Sequence, residues 1–502
     1  MTKVLKNNKK KRKDKPMKKN LLALLLLLTM IVNIFAMSSC NLLPGNQDNE
    51  NDDQTEIEGK INISFYHTMG ANLTAVLNPY IDEFEKLYPN IHIMHQQVGS
   101  YDDVRDQVSL DLTEGVQPNL TYCYPDHVAL YNVAMAVVTL DEYIDFEGSY
   151  TFADGVTVDN IGLTQAQKDD FIKAYYEEGR QFGDGKMYTL PLSKSTEVLY
   201  YNKTFFEQHK DKISVPTTWD EMEAVCKAIK EIDPTSIPLG YDSEANWFIT
   251  MCEQLKTPYT SATGENFLFD DAANHAFVKR FAEWYAQDLV TTQDLYGAYT
   301  SGLFVATSGQ RSYMSIGSSA GATHQAPVKD DATGEYPFEV GIAPIPQADS
   351  TNNKVISQGP SLCILASGNA DEDMATWLFI KYLTTNVGFQ AEFSEASGYV
   401  PVIKSVAEDE LYQEFLASAN GNKTGIAALS AKVCLEQESY YYTSPAFNGS
   451  STARDEVGAL LQTCFTQVAE AKDAGKTDAE IMAIIEKAFD DAVAECKYQV
   501  GK

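Results

Sequence analysis

The chain has 502 residues, 44% of them hydrophobic, which is enough to bury substantial cores. At roughly 100 to 200 residues per domain, this length predicts two or three domains, and the composition excludes a disordered or fibrous protein. The formal net charge of −31 makes the chain strongly acidic as a whole.

The N-terminus has the pattern of a secretory signal over residues 1–39. Ten of the first 19 residues are Lys or Arg, and an uncharged, Leu-rich run follows from Leu21 to Met37. Ser38-Ser39-Cys40 then resembles the lipobox of bacterial lipoproteins, in which the Cys is lipidated and becomes the mature N-terminus, although Met37 stands where Leu is usual. We predict lipidation at Cys40. An uncleaved anchor is the alternative, because 17 apolar residues reach the short end of a bilayer span.

Either outcome places everything after residue 40 outside the cytoplasm, because the Lys-rich flank stays inside. Removal of residues 1–39 leaves 29 basic and 69 acidic residues, a net charge of −40. A body this acidic is a poor partner for nucleic acid or for anionic lipid. Residues 40–60 are polar and acidic, too poor in large apolar groups to form a core, and are predicted to be a tether.

The folded body begins with a strand, helix, strand pattern. Apolar residues alternate with polar ones over 61–65, recur at helical spacing from Leu73 to Leu87, and alternate again at Ile91 and Ile93, with Pro89 ending the helix. This order predicts α/β architecture.

Further elements follow along the chain. The stretches "KMYTLPL" and "EVLYYNK" are predicted to be strands. Two capping boxes, beginning at Thr218 and Thr477, predict helices through Ile229 and Val493, and another helix is predicted over 374–384. We find no internal repeat.

One stretch has the composition of a catalytic motif. Gly317 to Gly321 spells G-x-S-x-G, the nucleophile elbow of serine hydrolases, with Ser319 as the nucleophile. In α/β-hydrolases the acid and then the His follow the Ser along the chain, but here the only later His is His324, five residues on. Other folds place the His before the Ser, so a secreted serine hydrolase is kept as the alternative function.

Metal and cofactor chemistry find no support in the sequence. His92 and His95 lie three apart on a predicted strand, so they face opposite sides and are poorly placed to share an ion. Of eight Cys, none forms a C-x-x-C pair; without Cys40 the remaining seven are interpreted mainly as small buried residues. The sequence therefore predicts neither a metal site nor a cofactor.

Several stretches together resemble one family, the extracytoplasmic solute-binding proteins of ABC importers that bind sugars and glycerol phosphates. They follow the family's order from about Ile61 to the C-terminus: "FYHTMGANLTAVLNPYIDEFEKLYPNIHI", "GKMYTLPLSKSTEVLYYNKTFFE", "VPTTWDEMEAVCKAIKE", "VGIAPIPQ", "ISQGPSLCILASG", "ATWLFIKYLTT" and "SGYVPV". Each stretch alone is a weak signal, whereas jointly they are specific.

This resemblance implies an α/β, periplasmic-binding-protein-like fold of two lobes joined by hinge strands, which close on a solute in the cleft between them. We assign residues 61–185 plus 345–402 to lobe 1 and residues 186–344 plus 403–502 to lobe 2. The implied protein is a monomeric binding protein and not an enzyme. Its lipid would hold it on the outer face of the bacterial cytoplasmic membrane, where it would deliver its solute to permease subunits.

Within the family, the sequence is most similar to the glycerol-3-phosphate-binding proteins, whose ligand contacts can be carried over by position. The implied contacts are Tyr101, Ser195, Ser318, Gly359, Tyr399 and Arg454. Arg454 matches a phosphate-binding Arg, and Asp126, shifted by one position, stands where the family has a Glu for the glycerol hydroxyls.

The solute is expected to be either a glycerol phosphate or its diester, or a sugar. Arg454 favours the phosphate, since it is one of only five Arg after Cys40; its alternative role is a surface Arg beside Asp455. Trp219 and Trp247 are candidate cleft walls that would suit a sugar, with core packing as the alternative role for both.

Overall fold

The computed structural model describes residues 55–501. Its strands, in chain order, are β1 (Ile61–His67), β2 (Ile91–Gln97), β3 (Leu120–Cys123), β4 (Tyr150–Thr151), β5 (Thr157–Val158), β6 (Leu190–Pro191), β7 (Ser195–Asn202), β8 (Leu239–Tyr241), β9 (Val290–Thr292), β10 (Met314–Ser318), β11 (Val340–Ala343), β12 (Val355–Gln358), β13 (Ser361–Ile364) and β14 (Tyr441–Tyr442).

The α-helices are α1 (Ala71–Leu87), α2 (Tyr101–Glu114), α3 (Pro125–Tyr131), α4 (Asp141–Ile144), α5 (Gln165–Asp170), α6 (Lys173–Glu178), α7 (Lys203–Gln208), α8 (Trp219–Ile232), α9 (Glu244–Leu255), α10 (Ala272–Tyr285), α11 (Gln293–Tyr296), α12 (Ser301–Phe304), α13 (Ala370–Thr385), α14 (Val387–Ser397), α15 (Glu410–Ala417), α16 (Ile426–Glu436), α17 (Ser450–Asp473) and α18 (Asp478–Gln499). Short 3-10 helices occupy Asn132–Ala134, Ser319–Gln325, Lys404–Glu408 and Glu438–Tyr440.

The predicted elements form largely where the local signals place them. β1, α1 and β2 are the predicted strand, helix, strand unit, and β1 pairs in parallel with β2. Helices α8 and α18 begin at the predicted capping boxes, in which Thr218 and Thr477 each accept a hydrogen bond from the backbone three residues on. Of "KMYTLPL", only the two residues of β6 pair as a strand.

The first sheet has the order β2-β1-β3-β13-β6. β1 runs parallel to β2 and β3, whereas β13 runs antiparallel to β3 and to β6. Cys123 at the end of β3 pairs with Ser361 at the start of β13. The carboxyl end of β3 therefore lies at the same edge of the sheet as the beginning of β13.

The second sheet has the order β14-β12-β7-β10-β8-β9, with β11 also paired to β7. β7 is antiparallel to β10 and β12, and β10 is parallel to β8. Ser195 at the start of β7 pairs with Gln358 at the end of β12, and Glu197 pairs with Ser318 at the end of β10. The start of β7 and the carboxyl ends of β8, β10 and β12 thus share one edge.

Two short segments carry the chain between the sheets, 192–194 after β6 and 359–360 after β12. Gly359 has a φ of +102°, and a Cβ there would lie 2.6 Å from the Ser193 carbonyl oxygen. The buried Lys194 Nζ donates to the Gly359 carbonyl and to Ser361 Oγ (3.1 and 3.0 Å) and pairs with Glu178 at 2.5 Å. The two hinge segments are therefore in direct contact. The predicted lobe boundaries at 185 and 344 both lie upstream of these crossings.

The histidines and cysteines considered in the sequence analysis pack into the fold. His92 Nδ1 lies 2.8 Å from Glu85 Oε1, whereas His95 Nδ1 lies 2.9 Å from His67 Nε2, so the two imidazoles face different neighbours, as predicted. The seven Cys within residues 55–501 are buried and unbridged. No helix in that range is long and apolar enough to cross a membrane; Cys40 and the apolar run before it lie outside it.

Candidate ligand-binding site

Two cavities that share Gln358 lie at one edge of the second sheet, and the smaller one also reaches the loop after β3 of the first sheet. The larger, about 600 Å³, is lined by polar residues that include Glu197, Asp242, Asn246, Ser318, His324 and Gln358. The smaller, about 80 Å³, is lined by residues of both sheets' loops, including Tyr124, Asp126, Ser357, Gln358 and Arg454. Ligands of α/β folds bind at the carboxyl ends of strands, which is where this pair of cavities lies.

Arg454 is the cation of this site. It lies in the second turn of α17, and its Nη2 donates a hydrogen bond to Asn246 Oδ1. Among residues 55–501, no carboxylate lies within ion-pairing distance of Arg454, so the predicted alternative, a surface pair with Asp455, does not form. The guanidinium therefore has a neutral partner and retains uncommitted donors.

Glu197 is a buried carboxylate at the start of β7. It accepts hydrogen bonds from the Tyr241 hydroxyl (2.6 Å) and from Asn246 Nδ2 (2.9 Å). Burial raises the pKa of Glu197 to about 7, against the lowering effect of these bonds and of Arg454. This carboxyl therefore titrates near neutral pH.

Asp242 follows directly after β8 and faces the larger cavity. Its Oδ1 accepts from both the backbone amide and the hydroxyl of Thr300, each at 2.7 Å, and burial raises its pKa. Gly317 of β10 is required beside it, because a Cβ there would lie 2.7 Å from Asp242 Oδ2. The second carboxylate of the cavity is thus held by local packing.

Tyrosines lie close together on the side of the first sheet. The hydroxyls of Tyr101 and Tyr399 lie 3.2 Å apart, and the Tyr101 ring stacks on Tyr124 with centroids 4.6 Å apart. Burial raises the pKa of both Tyr101 and Tyr399, so both are neutral phenols at physiological pH. Tyr124 lines the smaller cavity beside Asp126, which lies in the first turn of α3. The structure thus brings Tyr101, Tyr399 and Asp126 to one side of the site.

Ser195, Gly359 and Ser318 come from the second sheet and its hinge. Gly359 touches the backbone of Ser193 to Ser195, which explains why only Gly fits there. Ser195 is buried at the start of β7, next to this contact. Ser318 ends β10 and lines the larger cavity, and its Oγ accepts from the Ala320 amide at 3.3 Å.

The two candidate tryptophans lie in the hydrophobic core instead of on the cleft wall. Trp219 and Trp247 are 2% and 0% exposed, and their rings stack with centroids 5.9 Å apart. Trp247 also stacks on Tyr241 at 4.7 Å, and the Trp219 indole donates to Gln254 at 2.8 Å. Core packing, the alternative role, is what the structure gives both residues, because both rings also pack against Phe281 of α10.

No hydrolase constellation forms at Ser319. Its side chain is 1% exposed, and its Oγ accepts a hydrogen bond from the Thr196 backbone amide at 3.1 Å. It opens a 3-10 helix that also contains His324, where a nucleophile elbow would require a strand, a tight turn and an α-helix. The Ser319 hydroxyl therefore links the end of β10 to β7 by a hydrogen bond, and its role is structural.

Sequence reasoning missed four polar residues that line the larger cavity, namely Glu197, Asp242, Asn246 and Gln358. A signal for two of them was present: Glu197 is a charge inside the apolar strand "STEVLYY", and Asp242 directly follows the short strand "LGY". A charged residue in such a position must be paired or functional. Asn246 and Gln358 carry no comparable local signal.

Comparison with known proteins identifies the family. Residues 79–420, more than half of the chain, match the family described as bacterial extracellular solute-binding protein. The maltotriose-binding protein of Pyrococcus abyssi is 23% identical over 371 residues, 70% of this chain and 68% of that protein. The sn-glycerol-3-phosphate-binding periplasmic protein UgpB of Brucella abortus is 26% identical over 266 residues, 52% of this chain and 58% of that protein.

A solved structure shows the same fold. UgpB from Mycobacterium tuberculosis, in complex with glycerophosphocholine, superposes with a TM-score of 0.64 at 16% identity, covering 88% of this chain and 98% of that one. The chain thus belongs to the bacterial extracellular solute-binding proteins and has their two-lobed α/β fold, with hinge strands and a cleft between the lobes. Its place of action is accordingly extracytoplasmic, and its family is one of binding proteins.

Proposed function

We propose that this protein is the lipid-anchored solute-binding component of an ABC importer and delivers its solute to permease subunits in the membrane. Family membership and the cleft between two hinged sheets support the transport role. The lipobox-like sequence at Cys40 supports the anchor, because a receptor tethered at the membrane stays near its permease. A monomer suffices for this role, since both walls of the cleft come from one chain.

For the lobes, the sheet order supports boundaries at the two crossings. Lobe 1 then comprises residues 61–191 and 361–402, and lobe 2 comprises residues 195–358 and 403–501. Compared with the boundaries predicted from the sequence, those at 185 and 344 move downstream, and the boundary at 402 is unchanged. The segments 192–194 and 359–360 become the hinge.

The solute we favour is a glycerophosphodiester, and the observation that carries it is the neutral partner of Arg454. A guanidinium that is hydrogen-bonded to an amide can still form a bidentate pair with a phosphate. Hydroxyls of the glycerol would be accepted by nearby carboxylates. The proposed contacts are Tyr101, Asp126 and Tyr399 on one wall and Ser195, Ser318, Gly359 and Arg454 on the other.

The charges around Arg454 favour a diester over a monoester. Glu197 and Asp242 line the larger cavity and Asp126 the smaller one, so each added negative charge on the solute meets further repulsion. A phosphate monoester carries about −1.5 to −2 at pH 7, whereas a diester carries one negative charge. We therefore expect a diester to bind more tightly than glycerol 3-phosphate.

A neutral sugar is the second candidate. The cavity of about 600 Å³ falls in the range of small-molecule sites and is lined by carboxylates, amides and hydroxyls, which pair well with sugar hydroxyls. The similarity to a maltotriose-binding protein supports the same solute class.

Calorimetric titration of the mature protein separates the candidates. The solutes are glycerophosphocholine, sn-glycerol 3-phosphate and maltotriose. We expect the diester to bind, and to bind more tightly than the monoester. Tight binding of maltotriose alone would replace the phosphate assignment with a sugar, and binding of no polyhydroxylated solute in a wider panel would contradict the proposed function.

A further inference from the structure

Asn246 is the central residue of a buried polar network that joins four elements. Its Nδ2 donates to Glu197 Oε1 and to Gln358 Oε1, both at 2.9 Å. Its Oδ1 accepts from Gln358 Nε2 at 3.2 Å and from Arg454 Nη2. Asn246 is 3% exposed, in the first turn of α9. The side chains it connects come from β7, β12 and α17.

The chemistry of its neighbours allows Asn246 only one orientation. Arg454 can only donate, so the amide oxygen must face it. An ionised Glu197 can only accept, so the amide nitrogen must face that carboxylate. Gln358 can do both, and it bonds to both ends of the Asn246 amide. The amide therefore separates the anion from the cation and satisfies each of them.

The arrangement matters because of what an acid at the same position would do. A carboxylate in place of the Asn246 amide would form a direct ion pair with Arg454 and would lie against Glu197 with the same charge. The guanidinium would then be compensated by the protein, and an incoming phosphate would have to compete for it. The neutral amide orients Arg454 without compensating its charge.

We propose that Asn246 is a positioning residue that holds Arg454 as an uncompensated cation in the cleft and thereby sets the preference for solutes that carry a negative charge. The test of this inference has two arms. The ligand arm measures solute binding and rests on the proposed function. The structural arm concerns the ligand-free protein and can be carried out whichever solute binds.

The test uses Asn246→Asp, with Asn352→Asp as the matched control. Both variants make the same change and add one negative charge, at opposite ends of α9. Asn352 donates to the carbonyl oxygens of Glu253 and Gln254 at the far end of α9, away from both cavities. The control therefore reports the effect of an added charge and of two lost donor hydrogen bonds, without the effect on Arg454.

The ligand arm is calorimetry with glycerophosphocholine. We expect Asn246→Asp to weaken binding by about tenfold or more, because the phosphate loses an uncompensated charge partner. Asn352→Asp should stay within about twofold of the wild type, since its added charge is remote and screened. An equal loss in both variants, or no loss in Asn246→Asp, would overturn the proposal.

The structural arm follows the Arg454 guanidinium protons by NMR without ligand, assigned by their disappearance in Arg454→Lys. Their exchange with water should be slow in the wild type, in Asn352→Asp and in Asn246→Asp, which keeps an acceptor. In Asn246→Ala it should accelerate by about tenfold or more, since the bond that orders the side chain is gone. Unchanged exchange in Asn246→Ala would overturn the proposal. A wild type that shows this exchange pattern but binds no diester would overturn the solute preference and support only the positioning of Arg454.

Discussion

At the scale of single residues, Arg454 differs from most other arginines of the body. Arg105, Arg180 and Arg280 each form an ion pair with Asp or Glu. Arg454 instead bonds to an amide and lines the smaller cavity. An arginine that stays uncompensated in so acidic a protein is a strong candidate for contact with an anionic ligand.

Replacing Arg454 tests this directly. We expect Arg454→Ala to weaken binding of glycerophosphocholine by at least about tenfold, in line with the roughly 2 to 5 kcal/mol lost when a buried charge pair is truncated. Arg454→Lys should recover only part of this affinity, because an ammonium cannot form the bidentate contact. Calorimetry measures both, and unchanged affinity in Arg454→Ala would place this residue outside the site.

Glu197 predicts a pH dependence of stability. Burial raises its pKa from 4.5 to about 7, so between these values the folded state binds more protons than the unfolded state. The free energy of unfolding that Glu197 contributes therefore falls as pH rises from about 4.5 to about 7. Glu197→Gln cannot titrate, so relative to this variant the wild type should lose stability across that window. Denaturant unfolding at several pH values measures the difference, and parallel curves for the two proteins would contradict the prediction.

At the scale of elements, the two hinge segments decide how the sheets are joined. Gly359 brings its segment against Ser193 to Ser195, and the buried Lys194 ties the first segment to the second. Lys194 also pairs with Glu178, which lines the smaller cavity. The hinge and the candidate site therefore share residues, so changes at one should be felt at the other.

Gly359→Ala should destabilise the protein more than Gly368→Ala. Both glycines have positive φ, +102° and +79°, but a Cβ at Gly359 meets backbone atoms within 3 Å, whereas a Cβ at Gly368 meets nothing within 4 Å. Gly368→Ala should cost about 1 to 2 kcal/mol for the left-handed conformation alone, and Gly359→Ala should cost more. Chemical denaturation compares the two variants; equal losses would mean that the close contact adds no strain.

At the scale of the whole molecule, a folded two-lobed body follows residues whose sequence predicts a secretory signal and an acidic tether. The body buries its tryptophans and cysteines and exposes a large excess of acidic side chains. Such a body has little affinity for an anionic lipid surface, so the proposed retention at the membrane would depend on the N-terminus.

Cys40→Ala tests that dependence. If Cys40 is lipidated, the variant should lose its acyl chains, and the protein should shift from the membrane fraction to another fraction or accumulate as an unprocessed precursor of higher mass. If an uncleaved apolar segment anchors the chain instead, the variant should remain in the membrane fraction at unchanged mass. Fractionation with immunoblotting and mass spectrometry distinguishes these results.

Local sequence signals were enough for the elements that depend on nearby residues. The β1-α1-β2 unit and the capped starts of α8 and α18 form where periodicity and capping boxes predict them. The two tryptophans show the limit of this reasoning. Their burial depends on contacts with each other and with Phe281, which come from three different helices, and no local pattern encodes those contacts.

The sequence by itself determined the α/β class, the two-lobed family and the acidic, extracytoplasmic character. Hydrophobic periodicity, charge and the order of the family-like stretches are all properties of the linear sequence. Only the tertiary structure decided that Glu197, Asn246, Gln358 and Arg454 meet. These residues are far apart in the sequence; the hydrogen-bonded pair Asn246 and Arg454, for example, is separated by 208 residues. Hydrogen bonds across such distances depend on strand register and helix docking. That assembly turns a scarce arginine into a cation held by a neutral amide.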